Sequence, residues 1–130
     1  MTKELDDKLC EKYPRIFVDR HGDPKETCMC WGFPGNGWYW LLDKLCQHLQ
    51  WNIDRNGDPQ LKAVQVKEKF GSLRVYTEGG NAEQHAVIHF AEALSYGICE
   101  TCGTTKGVEQ RRKNGWVYTS CEECKKDDTV

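Results

Sequence analysis

The sequence predicts an α+β fold in which two helices pack on a small antiparallel β-hairpin or sheet. Apolar residues recur at helical spacing in two segments, from about residue 38 to 51 and from about 82 to 96. Between them, residues 62–67 and 72–78 alternate apolar and polar side chains, which is typical of half-buried strands. Because a short turn at Phe70-Gly71 separates the two strands, we expect them to pair as a hairpin.

A further short helix is predicted at the N-terminus, over residues 2–12, where Leu5 and Leu9 lie one turn apart in a charged segment. Pro14 follows it, and proline disfavours helical geometry in the residue before it. Residues 28–37 combine cysteines, aromatic residues and glycines. This composition predicts an irregular, buried segment.

The helix over residues 38–51 has two distinct faces. Its predicted core face contains Trp38, Leu41, Leu42, Leu45 and Leu49. The opposite face contains Trp40, Lys44, Gln47 and Trp51. Either residues 13–36 fold over the two tryptophans of this second face, or Trp40, Lys44 and Trp51 bind a partner protein, since tryptophan is enriched at interface hot spots.

The other elements also have predicted faces. On the strands, Val64, Val66, Leu73 and Val75 are expected to face the core, with Gln65, Lys67, Arg74 and Tyr76 on the other side. On the second helix, the apolar arc consists of Ala82, Ala86, Phe90, Ala93 and Leu94. We expect this arc to pack on the sheet.

Four cysteines near the C-terminus form the most specific motif of the chain. Cys99 and Cys102 make one C-x2-C pair, and after eighteen intervening residues Cys121 and Cys124 make another. This spacing is typical of a tetrathiolate zinc site. The residues between the pairs predict a hairpin, with strands over 108–112 and 116–119 and the turn Lys113-Asn114-Gly115, since Asn-Gly strongly favours a tight turn. The sequence therefore predicts a C-terminal zinc ribbon with four cysteine ligands.

The predicted role of the metal is structural, with one Zn²⁺ per chain. Four thiolates fill a tetrahedral coordination sphere and leave no position for water or substrate. The alternatives are two disulfides or a redox pair. A redox motif uses one C-x-x-C in a thioredoxin-like setting, and two pairs that flank a hairpin do not fit that arrangement.

Four further cysteines could form a second metal site, with His21 and His48 near them in sequence. They are Cys10, Cys28, Cys30 and Cys46. The alternative is that they are buried structural thiols, because a free cysteine packs as a small hydrophobic residue. The sequence leaves this choice open.

The predicted domain organisation is an α+β body over residues 1–97, a zinc ribbon over 98–126 and a flexible tail over 127–130. The N-terminus is charged and has no apolar core of a signal peptide, and the chain has no run of 18 apolar residues. We therefore expect a cytoplasmic protein that does not interact with a membrane.

Basic residues on the two predicted hairpins suggest nucleic-acid binding as an alternative function. The candidates are Lys67, Arg74 and Tyr76 on the first hairpin and Arg111, Arg112 and Lys113 on the second. The net charge of the whole chain is −2. The ribbon has six basic and four acidic residues, an excess that the negative charge of a tetrathiolate zinc would cancel. Binding through phosphates requires a clearer excess of positive charge.

The sequence contains no Ser-His-Asp arrangement, no phosphate-binding loop and no dinucleotide fingerprint. We therefore expect a protein that is not an enzyme. A pocket for a nucleotide signal, lined by Trp31, Trp38 and Arg74, is a third possible function.

Six short segments occur in a fixed order along the chain. They are Tyr13-Pro14-x-Ile16-Phe17, Thr27-Cys-Met-Cys-Trp-Gly-Phe33, Gly37-Trp38, Val66-Lys-Glu-Lys-Phe-Gly-Ser-Leu-Arg74, Cys99-Glu-Thr-Cys-Gly103 and Gly115-Trp116. In these segments, over about residues 10–124, the chain resembles a family of small hypothetical proteins of bacteriophages and prophages with a C-terminal zinc ribbon. Residues 33–37, Phe-Pro-Gly-Asn-Gly, differ from the more acidic version in that family.

The resemblance implies a phage protein that acts in the cytoplasm of a bacterial host. Small phage proteins without a catalytic motif often act by binding a host nuclease, a defence complex or a polymerase, or by sequestering a signalling nucleotide. We therefore expect a non-enzymatic, zinc-stabilised protein that binds a host protein and inhibits a bacterial defence system. The alternatives are a nucleic-acid-binding regulator and a binder of a nucleotide signal, and the sequence does not predict the oligomeric state.

Overall fold

Two helices, a hairpin, a third helix and a second hairpin follow one another in the computed structural model, which describes residues 1–126. The predicted α+β fold is confirmed. Within these residues the elements are helices α1 (Lys3–Lys12), α2 (Tyr39–Asn56) and α3 (Ala82–Leu94), and strands β1 (Lys62–Lys69), β2 (Ser72–Glu78), β3 (Glu109–Lys113) and β4 (Trp116–Ser120). Short 3₁₀ turns cover Met29–Trp31, Asn36–Trp38 and Ser95–Gly97. The predicted flexible tail, residues 127–130, lies outside the described residues.

Helix α2 forms the centre of the body. All residues of the predicted core face are buried, with Trp38 immediately before the helix: Trp38, Leu41, Leu42, Leu45 and Leu49. Asp43 and Cys46 are buried as well. The helix continues to Asn56, five residues beyond the predicted end, and Gly57 then ends it in the left-handed conformation with φ of 75°. The helical period alone was therefore sufficient to identify the buried face.

Helix α1 is joined to α2 by a polar network around Asp43. The Asp43 carboxylate accepts a hydrogen bond from the Tyr13 hydroxyl at 2.7 Å and from Lys12 Nζ at 2.7 Å. Partial burial of Asp43 opposes ionisation, but these two donors outweigh that effect and hold the pKa of Asp43 below its ordinary value of 3.8. The network thus stabilises the charged form of the carboxyl group.

Acid is therefore expected to weaken the packing of α1 on α2. A carboxyl group whose pKa is lower in the folded state stabilises that state above its unfolded pKa, and the contribution is lost as the pH falls through the folded pKa. We expect Asp43→Asn to lower the free energy of unfolding by about 1–2 kcal/mol near pH 7, and by much less near pH 3. Urea unfolding at the two pH values measures this difference. Asp7→Asn is the control, because Asp7 forms an exposed ion pair with Lys3. A deficit of equal size at both pH values would contradict the assignment.

Strands β1 and β2 form the first antiparallel hairpin, with Val66 opposite Val75 and Lys67 opposite Arg74. The predicted faces hold for Val66 and Leu73, which are buried, and for Val75, which packs against the core. The prediction for Val64 is wrong, because an irregularity in the pairing between Ala63 and Gln65 places Ala63 in the core instead. A β-bulge of this kind shifts the alternation by one residue.

The predicted apolar arc of α3 is wrong, because its five residues are exposed: Ala82, Ala86, Phe90, Ala93 and Leu94. The helix instead buries Gln84, Ile88 and Ala91. Polar side chains on the buried side bind the free edge of β2. Glu92 accepts a hydrogen bond from the Val75 N–H, and the Ser95 hydroxyl accepts one from the Leu73 N–H, both at 2.9 Å. These bonds protect an edge strand, so the helix is oriented by its polar residues.

Candidate metal centre and exposed aromatic residues

The four C-terminal cysteines meet at one point. One Sγ atom from each of Cys99, Cys102, Cys121 and Cys124 lies within 4.8 Å of the other three, and the Cys102 and Cys121 sulfurs are 3.7 Å apart. Four sulfurs at about 2.3 Å from a central zinc would be about 3.8 Å apart. The cluster therefore fits a metal ion in tetrahedral coordination.

Two local structures bring the cysteine pairs together. The first pair lies on a tight turn in which the Cys99 N–H donates to the Thr104 carbonyl and the Gly103 N–H donates to the Cys99 carbonyl, both at 2.9 Å. Gly103 has a φ of 82°, as expected for the glycine after a metal-binding turn. The second pair directly follows strand β4.

The β3–β4 hairpin sets the distance between the pairs. Glu109 pairs with Ser120 and Lys113 with Trp116, close to the predicted strand limits. Asn114 and Gly115 both have positive φ, of 50° and 82°, as the Asn-Gly turn predicts. The predicted hairpin is therefore present.

The four thiols cannot all be ionised together unless a cation is bound between them. Burial opposes ionisation of Cys99, but backbone N–H groups directed at its sulfur lower the pKa of that thiol to about 6. The adjacent Cys121 sulfur, together with burial, raises the pKa of Cys124 to about 12. Without a cation, four thiolates at this separation would repel one another. A metal ion removes that obstacle and releases the remaining protons.

The metal-binding turn docks directly on the body, a contact that the sequence did not predict. The Trp38 indole N–H donates to the Ile98 carbonyl at 3.0 Å, and the Gly37 N–H donates to the Glu100 carbonyl at 3.0 Å. A Cβ atom on Gly37 would lie 1.9 Å from the Cys99 carbonyl oxygen. The glycines of residues 33–37 were the sequence signal for this close approach of two backbones.

The face of α2 opposite the core is exposed. Trp40 and Trp51 have 63% and 55% of their surface accessible, and Lys44 lies exposed between them. The interpretation in which residues 13–36 cover both tryptophans is therefore wrong. A depression of about 270 Å³ lies beside Trp40 and is lined in part by Leu5 and Ile98. We call Trp40, Lys44 and Trp51 the α2 face.

The residues predicted for nucleic-acid binding do not all remain available. Lys67 and Arg74 are cross-strand neighbours on one face of the first hairpin, and Tyr76 on the same face is 40% exposed. Arg111 is different, because only 11% of its side chain is exposed and its guanidinium contacts Glu122 at 3.2 Å. The same group donates to the Ser120 carbonyl. Arg111 thus has a structural role, whereas its neighbours Arg112 and Lys113 are exposed and partly exposed.

One of the three residues predicted to line a nucleotide pocket cannot do so. Trp38 has no accessible surface and cannot line an open pocket. Trp31, in contrast, is 75% exposed. Its ring is available for contacts with another molecule, although not together with Trp38.

The other four cysteines do not assemble into a second metal site. Within residues 1–126, the C-terminal quartet is the only group of three or more His, Cys, Asp or Glu side chains with metal-binding geometry. Burial raises the pKa of Cys46 well above its ordinary value, and burial with the nearby Asp6 charge raises that of Cys10 to about 11. Both thiols therefore remain protonated, as expected for structural residues.

Comparison of the chain with protein-family models, with curated proteins and with solved structures finds no match. Among residues 1–126, the helices are too short or too polar to cross a membrane.

Proposed function

We propose that this chain is a non-enzymatic, zinc-stabilised phage protein that binds a host protein in the bacterial cytoplasm through the α2 face. The observation that carries the proposal is the exposure of Trp40 and Trp51 on one side of one helix. The two residues are eleven positions apart, which places them about 16 Å from each other along the helix and within about 20° of the same direction. Two large aromatic anchors at this distance suit a protein interface of ordinary size.

The chemistry of the α2 face defines its partner. The indole rings require two apolar depressions on the partner surface, and an acidic group between these would complement the exposed charge of Lys44. Leu5 and Ile98 beside Trp40 extend the apolar area on this side. A host defence factor with such a surface is the partner class that agrees with the resemblance to phage proteins.

Zinc in this proposal is a structural ion. A tetrahedral set of four sulfurs is typical of Zn²⁺, and four protein ligands leave no open coordination position. The ion joins the metal-binding turn to the end of β4, and hydrogen bonds from Gly37 and Trp38 hold that turn against the body. Trp38 directly precedes α2, so the metal centre also supports the start of that helix.

Substitution of the tryptophans is expected to abolish partner binding without unfolding the protein. Wild-type protein and the double variant Trp40→Ser/Trp51→Ser are immobilised and exposed to host lysate, and retained proteins are identified by mass spectrometry. We expect at least one host protein to be lost with the double variant. With that protein purified, calorimetry should give an affinity loss of at least about 30-fold, since the loss of even one hot-spot residue costs about 2 kcal/mol or more.

Trp31→Ser is the matched control, because Trp31 is also highly exposed but lies outside α2. It should retain the same host protein as the wild type. If the double variant captures everything that the wild type captures, the proposal is wrong. It is also wrong if the double substitution merely converts a dimer into a monomer in sedimentation, since the α2 face would then bind a second copy of the chain.

A further inference from the structure

Two hairpin turns lie side by side and enclose a cleft that the sequence did not predict. One turn is Phe70-Gly71 between β1 and β2, and the other is Asn114-Gly115 between β3 and β4. A cavity of about 520 Å³ lies between residues 67–70 and residues 114–117. A second cavity of about 410 Å³ shares Trp116 with the first. Each volume is in the range of small-ligand sites.

Phe70 combines an unfavourable backbone conformation with exposure to solvent. Its φ is 53°, in the left-handed region that bulky residues rarely adopt, and 66% of its surface is accessible. Asn114 has nearly the same φ in the second turn, but asparagine tolerates this conformation. Because the Phe70 ring is not buried, packing does not explain why phenylalanine occupies this position. A strained and exposed aromatic residue beside a cleft indicates a binding role.

The walls of the cleft are fixed relative to each other. The Gly71 carbonyl accepts a hydrogen bond from the Thr119 hydroxyl at 2.5 Å. A Cβ atom on Gly71 would lie 3.0 Å from that hydroxyl and 3.3 Å from Val117, so the two hairpins are in close contact there. Trp116 directly follows the second turn and is 76% exposed. Each wall therefore presents one aromatic ring, Phe70 or Trp116, in a defined position.

The cleft has accessible positive charge. Lys67 and Lys69 line the first cavity and Lys113 the second, and no ion pair within residues 1–126 includes any of them. Glu68 and Glu100 also line the cavities, but each carboxylate already accepts a hydrogen bond from a hairpin N–H, at 2.7 and 3.1 Å. With Lys126, the lysines that line the two cavities outnumber these two carboxylates, so the cleft has a net positive charge for an anionic ligand.

The Trp116 end of the cleft is remote from the metal centre. Trp116 and Cys121 are five residues apart along an extended segment, which corresponds to about 16 Å. This distance exceeds the screening length of about 8 Å at physiological ionic strength. The negative charge of the metal centre is therefore largely screened at this end of the cleft.

We infer that the cleft binds single-stranded nucleic acid, with one base on Phe70, the next on Trp116 and the phosphates beside Lys67, Lys69 and Lys113. Aromatic rings bind bases of any sequence by stacking, and lysines follow the backbone charge. Two adjoining cavities suit consecutive nucleotides of a strand, whereas one free nucleotide would occupy only one of them. A duplex buries its base faces and does not fit. The site shares Lys67 and Lys113 with the set predicted from sequence and adds Lys69 and the two aromatic residues.

Binding of a labelled strand tests the inference on the full-length, metal-loaded protein. The probe is a fluorescein-labelled oligothymidylate of about 12 nucleotides, and the measurement is fluorescence anisotropy at several salt concentrations. Trp116→Ala and Phe70→Asn are each expected to weaken binding about tenfold or more. Lys69→Gln should reduce the slope of log affinity against log salt by about 0.7, the value for one phosphate contact.

Phe70→Asn separates binding from folding. It creates an Asn-Gly turn like Asn114-Gly115 and relieves the backbone strain, so the midpoint of thermal unfolding should stay the same or rise while binding weakens. A purely structural Phe70 would instead lower the midpoint when replaced. Trp31→Ala is the control for loss of an exposed tryptophan and should bind as the wild type does.

Three outcomes would overturn the inference. The strand does not bind the wild-type protein, or it binds Phe70→Asn and Trp116→Ala with unchanged affinity. Alternatively, thymidine monophosphate or the matching duplex binds as tightly as the strand, in which case the cleft is not a site for single-stranded nucleic acid. None of these outcomes depends on the α2 face, so this test and the partner-capture test can fail independently.

Discussion

Substitution of Cys99 by serine is expected to remove the metal and to unfold the C-terminal hairpin. Cys99 is completely buried, and its sulfur is one of four that converge within 4.8 Å. In small zinc-binding peptides the metal contributes about 10–16 kcal/mol, and this binding free energy is also folding free energy. An isolated two-stranded hairpin is marginal in water without such support. We therefore expect the free energy of unfolding of the region after residue 98 to fall by several kcal/mol.

The unfolding should extend into the body, since the metal-binding turn accepts hydrogen bonds from Trp38 and Gly37. Loss of the turn exposes the Trp38 indole, which is otherwise fully buried. Native mass spectrometry measures the metal content, and circular dichroism measures the midpoint of thermal unfolding with and without a chelator. We expect one zinc ion per wild-type chain and no bound metal in Cys99→Ser.

Cys28→Ser is the matched control, because Cys28 is exposed and lies outside the cluster. It should keep one zinc ion and unfold at the wild-type temperature. A Cys99→Ser protein that retains its zinc and unfolds like the wild type would contradict a structural role for the metal. Wild-type chain purified without any metal, but with the same unfolding midpoint, would contradict it equally.

Local signals in the sequence were reliable wherever one element determines its own geometry. The spacing of Cys99, Cys102, Cys121 and Cys124 predicted a cluster that the structure contains, and Asn114-Gly115 predicted the turn between the pairs. The helical period of α2 predicted its buried face, whereas the exposure of the opposite face was left open by the sequence. In each case the relevant residues are close in sequence, or the period follows directly from helix geometry.

The predictions failed where contacts between residues distant in sequence determine the structure. Helix α3 buries Gln84 and directs Glu92 and Ser95 at the edge of β2, so the need to pair backbone N–H groups outweighs the burial of Phe90. A single irregularity at Ala63 changed which residue of β1 faces the core. Hydrophobic periodicity carries no information about free strand edges or β-bulges. It therefore cannot predict the buried face of α3 or the residue of β1 that faces the core.

The cleft between the hairpins was missed for a related reason. Phe70 belongs to the first hairpin and Trp116 to the second, and only the packing of Gly71 on Thr119 brings the two turns together. The one sequence signal was a phenylalanine before a glycine in a tight turn, where Asn or Asp is preferred. Such a mismatch between residue and turn is a reason to look for a binding site.

Gly37→Ala is expected to have the second-largest effect of the substitutions considered, although it adds only a methyl group. A Cβ atom at this position would lie 1.9 Å from the Cys99 carbonyl oxygen and 2.6 Å from the Glu100 carbonyl carbon. Both obstacles are backbone atoms of the metal-binding turn, so a side-chain rotation cannot relieve the clash. The turn must move by an ångström or more, and the 3.0 Å hydrogen bond from the Gly37 N–H to Glu100 would be lost.

The expected cost is about 3 kcal/mol or more in the free energy of unfolding, at the upper end for overpacking, with a drop of roughly 10 °C in the unfolding midpoint. Zinc affinity should fall as well, because the displaced turn contains Cys99 and Cys102; competition with a chromophoric chelator measures this.

Gly97→Ala is the matched control, since its Cβ atom would contact nothing within 4 Å and its φ lies outside the left-handed region. It should leave stability unchanged or slightly raised, because alanine restricts the unfolded chain. Equal stability of the two variants would mean that the ribbon does not dock on the body through Gly37. A stability loss in Gly37→Ala with unchanged zinc affinity would mean that docking and metal binding are independent.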